Sequence, residues 1–309
     1  MQTILIFGGA GFMGTNFSEY FVNKNYRVVS YDAIKSKIEH KNLVSVVGNS
    51  TDVEKIEEIF KIYKIDFVIH TLTSFWVVDG VESYQKLISE NLSSTIDLLN
   101  IMDKYNVNKF IYVSSGGSIY GESNKPINEE AEKEPVSFYG WLKEAVESYI
   151  SYLSRTNPKF KYIIFRPSNV YGKYQQLNRI IGVALKNAYL NEGMNIFGDI
   201  NTQKDYIYIE DFCEVVFSLI EKNNWNEIYN IGSGVGISTK DILEMSEKIT
   251  GNTMNINYKE TKKGDITYNV LNVDKIKNEI GKNEFLDIYE GMSKMFEYVK
   301  EELEKKVIK

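Results

Sequence analysis

The chain has 309 residues, 43% of them hydrophobic and 25% charged, with a formal charge of −6, an ordinary composition for a soluble protein of about two domains. Its single cysteine, Cys213, excludes an internal disulfide and a thiolate metal cluster, and two histidines, His40 and His70, leave little for a metal or Ser-His-Asp centre. The acidic balance offers no basic stripe for nucleic acid, and no run approaches the roughly 20 apolar residues that span a bilayer.

The first apolar run starts within a few residues of Met1. That leaves no space for a signal peptide, so a cytoplasmic location is expected. In chain order, short apolar runs at 4 to 7, 27 to 31, 43 to 47, 66 to 70, 109 to 114 and 162 to 166 suit buried strands. Segments with helical spacing lie near 12 to 23, 52 to 63, 83 to 106 and 138 to 155. This alternation predicts an α/β protein built on a doubly wound parallel sheet. After Pro167 the alternation gives way to longer segments, with strands expected at 206 to 209 and 228 to 231 that rejoin the first sheet. The expected domains are 1–171 with a return segment at about 205–232, and a smaller α/β lobe from about 172–204 and 233–309.

Directly after the first strand comes Gly8-Gly9-Ala10-Gly11-Phe12-Met13-Gly14, followed by a helical segment. Glycines here permit a tight turn, close backbone approach to a pyrophosphate, and helix packing against the strand, with the helix N-terminus facing the anion. The second strand ends at Asp32, 18 residues beyond Gly14. An acid there accepts hydrogen bonds from an adenosine ribose and repels a 2′-phosphate, which favours NAD over NADP. Asn49, after the third strand, suits either a contact with the adenine amine or a simple turn position.

Further on, Tyr139 and Lys143 are four apart at the start of a helical segment and share one face. An ammonium beside a phenol favours the phenolate. Bringing a phenol from a pKa of about 10 toward 7 takes roughly 4 kcal/mol. Y-x-x-x-K occurs often by chance, but here it follows a nucleotide-type loop and the hydroxyl-rich strand end Ser114-Ser115-Gly116-Gly117-Ser118-Ile119-Tyr120-Gly121.

Together with Val68-Ile69-His70 and Arg166-Pro167-Ser168-Asn169-Val170-Tyr171-Gly172, these segments resemble the extended short-chain dehydrogenases/reductases, most closely the NAD-dependent nucleotide-sugar epimerases and dehydratases. Lys204-Asp205-Tyr206-Ile207-Tyr208-Ile209-Glu210-Asp211 is similar to that group's return strand, and Gly264-Asp265 to its late substrate loop. The resemblance covers nearly the whole chain. It implies a Rossmann-type NAD domain, a C-terminal lobe for a nucleotide-diphosphate sugar, and a homodimer or higher oligomer built on the helices near 83 to 106 and 138 to 155. It places the cofactor at Gly8, Gly11, Phe12, Met13, Gly14, Asp32, Asn49, Ser50, Thr71, Tyr139, Lys143 and Pro167. The sugar nucleotide falls to Ser74, Ser118, Asn169, Arg179, Lys204 and Lys262, and no metal is expected.

Departures from the family pattern narrow the chemistry. The family's catalytic Ser or Thr falls at Gly116, so the hydroxyl must come from Ser118, on the same side if the strand stays extended, or from Ser115. The acid pair of the 4,6-dehydratases is replaced by Gly117 and Ser118, which disfavours dehydration. Epimerisation at C3 or C5 needs a further Cys, His or Lys, and Cys213 reads as a buried small hydrophobe. Oxidation at C4 remains, as a 4-epimerase or a 4-dehydrogenase, the latter including the capsular GDP-heptose type. Loss of the hydroxyl at Gly116 also admits a non-catalytic NAD-binding sensor. Phe75 and Trp76, after the fourth strand, are expected to shape the sugar pocket or to pack the lobes.

Overall fold

The computed structural model describes residues 1–74, 84–259 and 268–307. In chain order the elements are β1 (Thr3–Phe7), α1 (Phe12–Asn23), β2 (Arg27–Asp32), β3 (Leu43–Val47), α2 (Val53–Ile62), β4 (Phe67–His70), α3 (Tyr84–Leu87), a π-helical segment (Ile88–Ser93), α4 (Ser94–Lys104), β5 (Lys109–Val113), α5 (Gly116–Ile119), α6 (Phe138–Thr156) and β6 (Lys161–Pro167). They continue as β7 (Asn169–Tyr171), α7 (Ile180–Leu190), β8 (Met194–Phe197), β9 (Gln203–Tyr208), α8 (Ile209–Glu221), β10 (Glu227–Ile231), β11 (Gly236–Ser238), α9 (Thr239–Thr250), β12 (Ile256–Lys259), β13 (Tyr268–Asn269), α10 (Asp274–Ile280) and α11 (Ile288–Val307). The chain divides into two compact units. One is Met1–Ile119, Glu132–Arg166 and Val216–Tyr229; the other is Tyr120–Ala131, Pro167–Val215 and Asn230–Lys309.

The first unit is built on a seven-stranded sheet of order β10-β6-β5-β4-β1-β2-β3, in which β3 through β6 pair parallel. β1 is buried at every position, as a strand covered on both faces must be. The winding reverses between β1 and β4, the place where such sheets open a ligand crevice at their carboxyl ends. The helices are set by local signals. Asp52 caps α2 by accepting from Lys55 N, and Ser137 caps α6 by accepting from Gly140 N at 3.1 Å. The inward stripe of α6 is Gly140, Leu142, Lys143, Val146, Glu147 and Ile150, so two charges share a face with apolar residues. The main core joins Leu5, Phe7, Val29, Tyr31, Ile56, Leu98, Phe110, Val146 and Ile164.

The second unit has its own core of Tyr171, Leu185, Tyr206, Tyr208, Ile242, Met292 and Phe296, under α7, α9 and α11. Among the described residues its sheets are a four-stranded one, in which β9 pairs with β11, β13 and β7, and the β8–β12 pair.

Four expectations are corrected. The strand at 206 to 209 does not rejoin the first sheet; it is β9, ending at Tyr208, and both its edges are taken by short strands of the second unit. Only β10 returns, so the return segment is Val216–Tyr229 and not about 205–232. The strand after residue 109 stops at Val113, and Gly116–Ile119 coil into one helical turn, with Ser118 N donating to Ser115 O. The long helix expected from 83 to 106 is interrupted by the π-helical segment.

Candidate active site

The glycine loop is locked from several sides. Gly8, at φ +89°, donates to Tyr31 O, as does Gly9, while Gly11 donates back to Gly8 O. Thr71 N and Oγ1 bind Phe7 O, and Oγ1 also reaches Gly8 O at 3.0 Å, so this expected cofactor residue spends its hydroxyl on shaping the loop. A Cβ on Gly8 would lie 2.6 Å from the Leu72 backbone, and one on Gly14 would run into Gly8 O. Gly11 differs: a Cβ there would meet only Gly8 O, at 3.4 Å. The loop is therefore closed toward the sheet and open at the N-terminus of α1, whose N-cap is Gly11. Asp32 accepts from Ala10 N through Oδ2 at 3.0 Å. A cradle that only glycine fits, a helix end and a carboxylate at the next strand suit a dinucleotide. Asn49 receives the Tyr31 hydroxyl on its backbone carbonyl, and its neighbour Ser50 is half-buried.

At the end of β5, Lys143 is 6% exposed and donates from Nζ to Val113 O at 2.9 Å. Its Nζ lies 5.0 Å from the Tyr112 ring centre and 5.7 Å from that of Tyr139, which is half-buried. Burial pulls the lysine down to about 7, with the Glu147 carboxylate opposing the fall. The turn Gly116–Ile119 sits on the start of α6, so closely that a Cβ on Gly140 would overlap Ser118 O. Ser118 is thus held with its backbone against Gly140, the residue after Tyr139, by packing and not by the strand alternation expected. We predict that Ser118→Ala lowers turnover more than Ser115→Ala; equal or reversed losses in steady-state assays would refute the ordering.

Sequence reasoning missed Asn91. It lies in the π-helical segment, a form often found at functional sites. With His70, Leu72, Tyr112, Tyr139, Leu142 and Lys143 it lines a cavity of about 10 Å³, room for one water. Asn91 also binds Ser74, accepting from its N at 3.2 Å and donating to its Oγ at 2.8 Å. The irregular helix is the only signal, and it is not visible in the sequence.

His70 is fully buried. The Thr95 hydroxyl donates to Asn91 O, which leaves its oxygen able to accept from His70 Nε2, 3.0 Å away. Burial, reinforced by the neighbouring Lys143 charge, pulls the His70 ring down to about 3. Above pH 6.5 the ring is neutral folded or unfolded; as pH falls from there toward 3, only the unfolded chain takes the proton, and stability is lost. The loss approaches about 1.4 kcal/mol per pH unit. Asp205, which burial pushes up to about 6, acts in the opposite sense over part of this range. The expected result is thus a difference: by urea unfolding between pH 6.5 and 5, His70→Asn loses less stability on acidification than the parent.

In the second unit, Asn169 donates to Asp205 O at 2.9 Å, Arg179 is the N-cap of α7, and Lys204 lies on β9 beside Asn269 of β13. Pro167 ends β6 and is buried. Phe75, Trp76, Lys262, Gly264 and Asp265 lie outside the described residues. Among the described residues no helix is long and apolar enough to cross a membrane, and no cluster of three metal-ligating side chains forms.

The sequence model of the NAD dependent epimerase/dehydratase family matches residues 4–232. The chain belongs to this family. Among the relatives of this epimerase/dehydratase family member, a candidate UDP-glucose 4-epimerase of Methanocaldococcus jannaschii is 29% identical over 305 residues, covering 96% of this chain and 98% of its own. A dTDP-4-dehydro-6-deoxyglucose reductase of Escherichia coli is 26% identical over 308 residues, covering 96% and 97%. A UDP-glucose 4-epimerase of Thermotoga maritima, solved with UDP-glucose, superposes with a TM-score of 0.91 at 29% identity, over 98% of this chain and 100% of that one. The family is NAD-dependent, and the glycine cradle and Asp32 of this member fit that cofactor.

Proposed function

We propose that the protein oxidises the C4 hydroxyl of a nucleotide-diphosphate sugar. The observation that carries this reading is Lys143, a buried lysine held on a β5 carbonyl beside Tyr139, in the unit that bears the glycine cradle. NAD, when bound, supplies the two-electron acceptor. Gly8, Gly11 and Gly14 make room for its pyrophosphate, and Asp32 orients the adenosine ribose. Tyr139, as the phenolate that Lys143 supports, takes the proton of the sugar hydroxyl on Oη and becomes the neutral phenol. Ser118 is assigned the hydrogen bond to the sugar oxygen, in place of the hydroxyl absent at Gly116. Asn169, Arg179, Lys204 and Lys262 are assigned to the nucleotide and diphosphate, lysine acting as a point charge where an arginine would fork.

Gly117 and Ser118, where dehydratases carry acids, favour simple oxidation and return over loss of water. Similarity to UDP-glucose 4-epimerases supports a sugar that turns over and is re-reduced on its other face, a 4-epimerase. The decisive experiment mixes the protein and NAD with a panel of UDP-, GDP- and dTDP-sugars, following nicotinamide absorbance and analysing the sugar. An isomer without net reduction indicates the epimerase. A keto sugar with stoichiometric reduction indicates a 4-dehydrogenase. No change on any sugar overturns the proposal in favour of an NAD-binding sensor.

A further inference from the structure

Helix α6 buries two charged side chains on one face, and the chemistry assigned so far uses only Lys143. Glu147 lies four residues on, one turn along that face, and is 3% exposed. Arg166 of β6, equally buried, grips its carboxylate: Nε donates to Oε1 at 3.1 Å and Nη2 to Oε2 at 2.8 Å. A guanidinium fork of this kind fixes both oxygens and the rotamer that carries them. Lys133 adds a weaker contact, 3.7 Å from Oε2, and shares itself with Glu144 at 3.5 Å.

Lys143 itself hydrogen-bonds to a neutral group, Val113 O. The groups that face it are the rings of Tyr112 on β5 and Tyr139 on α6, the neutral His70 on β4, and Glu147 on its own helix. Arg166 and Lys133, the cations of this group, contact the Glu147 carboxylate itself. An ammonium without an opposite charge is costly at such depth and sheds its proton. A neutral amine beside Tyr139 would no longer support a phenolate.

We propose that Glu147, held by the Arg166 fork, is a positioning residue that keeps the Lys143 side chain charged beside Tyr139. The functional weight of this inference rests on the proton-transfer role assigned to Tyr139 and Lys143. The fork explains why a carboxylate is buried here: the helix supplies the anion and the strand fixes where it points. It also makes Arg166 more than a packing residue at the end of β6, since its loss leaves Glu147 with only the weaker Lys133 contact and removes the fork that fixes its rotamer.

The test reads Lys143 directly and needs no sugar. In protein labelled with 13Cε-lysine, the Lys143 signal is the one lost in Lys143→Arg, and its pH titration gives the midpoint. In Glu147→Gln, which keeps the shape and removes the charge, the midpoint is expected to fall by about one pH unit. Glu147→Asp, which keeps the charge, is expected to restore most of that shift. An unchanged midpoint in Glu147→Gln, with circular dichroism matching the parent, overturns the proposal. Should that variant not fold, Glu147→Met with Arg166→Met replaces both charges by an apolar contact; again a lower midpoint supports the link and an unchanged one overturns it. Sugar turnover by the parent protein tests the assigned reaction separately. A midpoint that depends on Glu147 without any turnover would remove that assignment and leave the electrostatic link standing.

Discussion

Replacing Tyr139 by phenylalanine is expected to lower turnover by about 10³-fold, the middle of the range for a positioned general base. NAD affinity should change little, because the ring remains on the helix face beside Lys143 and only the hydroxyl is removed. The variant should fold as the parent does, since Tyr139 is half-buried and its helix start is fixed by the Ser137 cap and the contact between Gly140 and Ser118. Steady-state assays on the sugar found active, with calorimetric titration of NAD, separate the two effects. Turnover within tenfold of the parent would mean that another group takes the proton.

The second large effect is expected at Gly14. A methyl there would overlap Gly8 O and lie 2.7 Å from Gly9 Cα. Gly8 cannot move away, because its N is bound to Tyr31 O and its carbonyl receives both Gly11 N and Thr71 Oγ1. Gly14→Ala should therefore cost about 3 kcal/mol of stability and also lose NAD binding. Gly11→Ala is the informative companion. Its methyl would touch only Gly8 O, at an ordinary contact distance of 3.4 Å, so the fold should tolerate it, yet the loop's open side is where a pyrophosphate approaches the helix end. The pair is expected to split: Gly14→Ala loses stability and binding, and Gly11→Ala loses binding alone. Equal stability losses in urea unfolding would mean that the loop is less constrained than its geometry implies.

The features legible in the sequence are those fixed by local spacing. The glycine loop, Asp32 and the Tyr139–Lys143 pair each follow from residue type and separation, and the strands from β1 to β6 from their apolar runs. The turn at Gly116–Ile119 was not legible, because four residues with two glycines carry no period, and its form is settled by packing on Gly140. β9 was misplaced for a related reason: its partners β7, β11 and β13 are two or three residues long, too short to announce themselves. The four-residue step from Lys143 to Glu147 was visible, but not the burial that gives it meaning. His70 stays neutral below pH 6.5 only because it is enclosed, and no motif records enclosure.

The order of the sheet has a consequence for synthesis. β10, the strand beside β6, is drawn from residues 227–231, so the nucleotide-type sheet lacks its last member until three quarters of the chain has left the ribosome. Until then β6 is an open edge with unpaired backbone groups, the state most prone to wrong partners. A chain stopped after residue 171 would hold every cofactor contact assigned above and still be an unfinished sheet. The first unit is thus an assembly of separated stretches, closed late, and cannot be excised as one continuous piece of sequence.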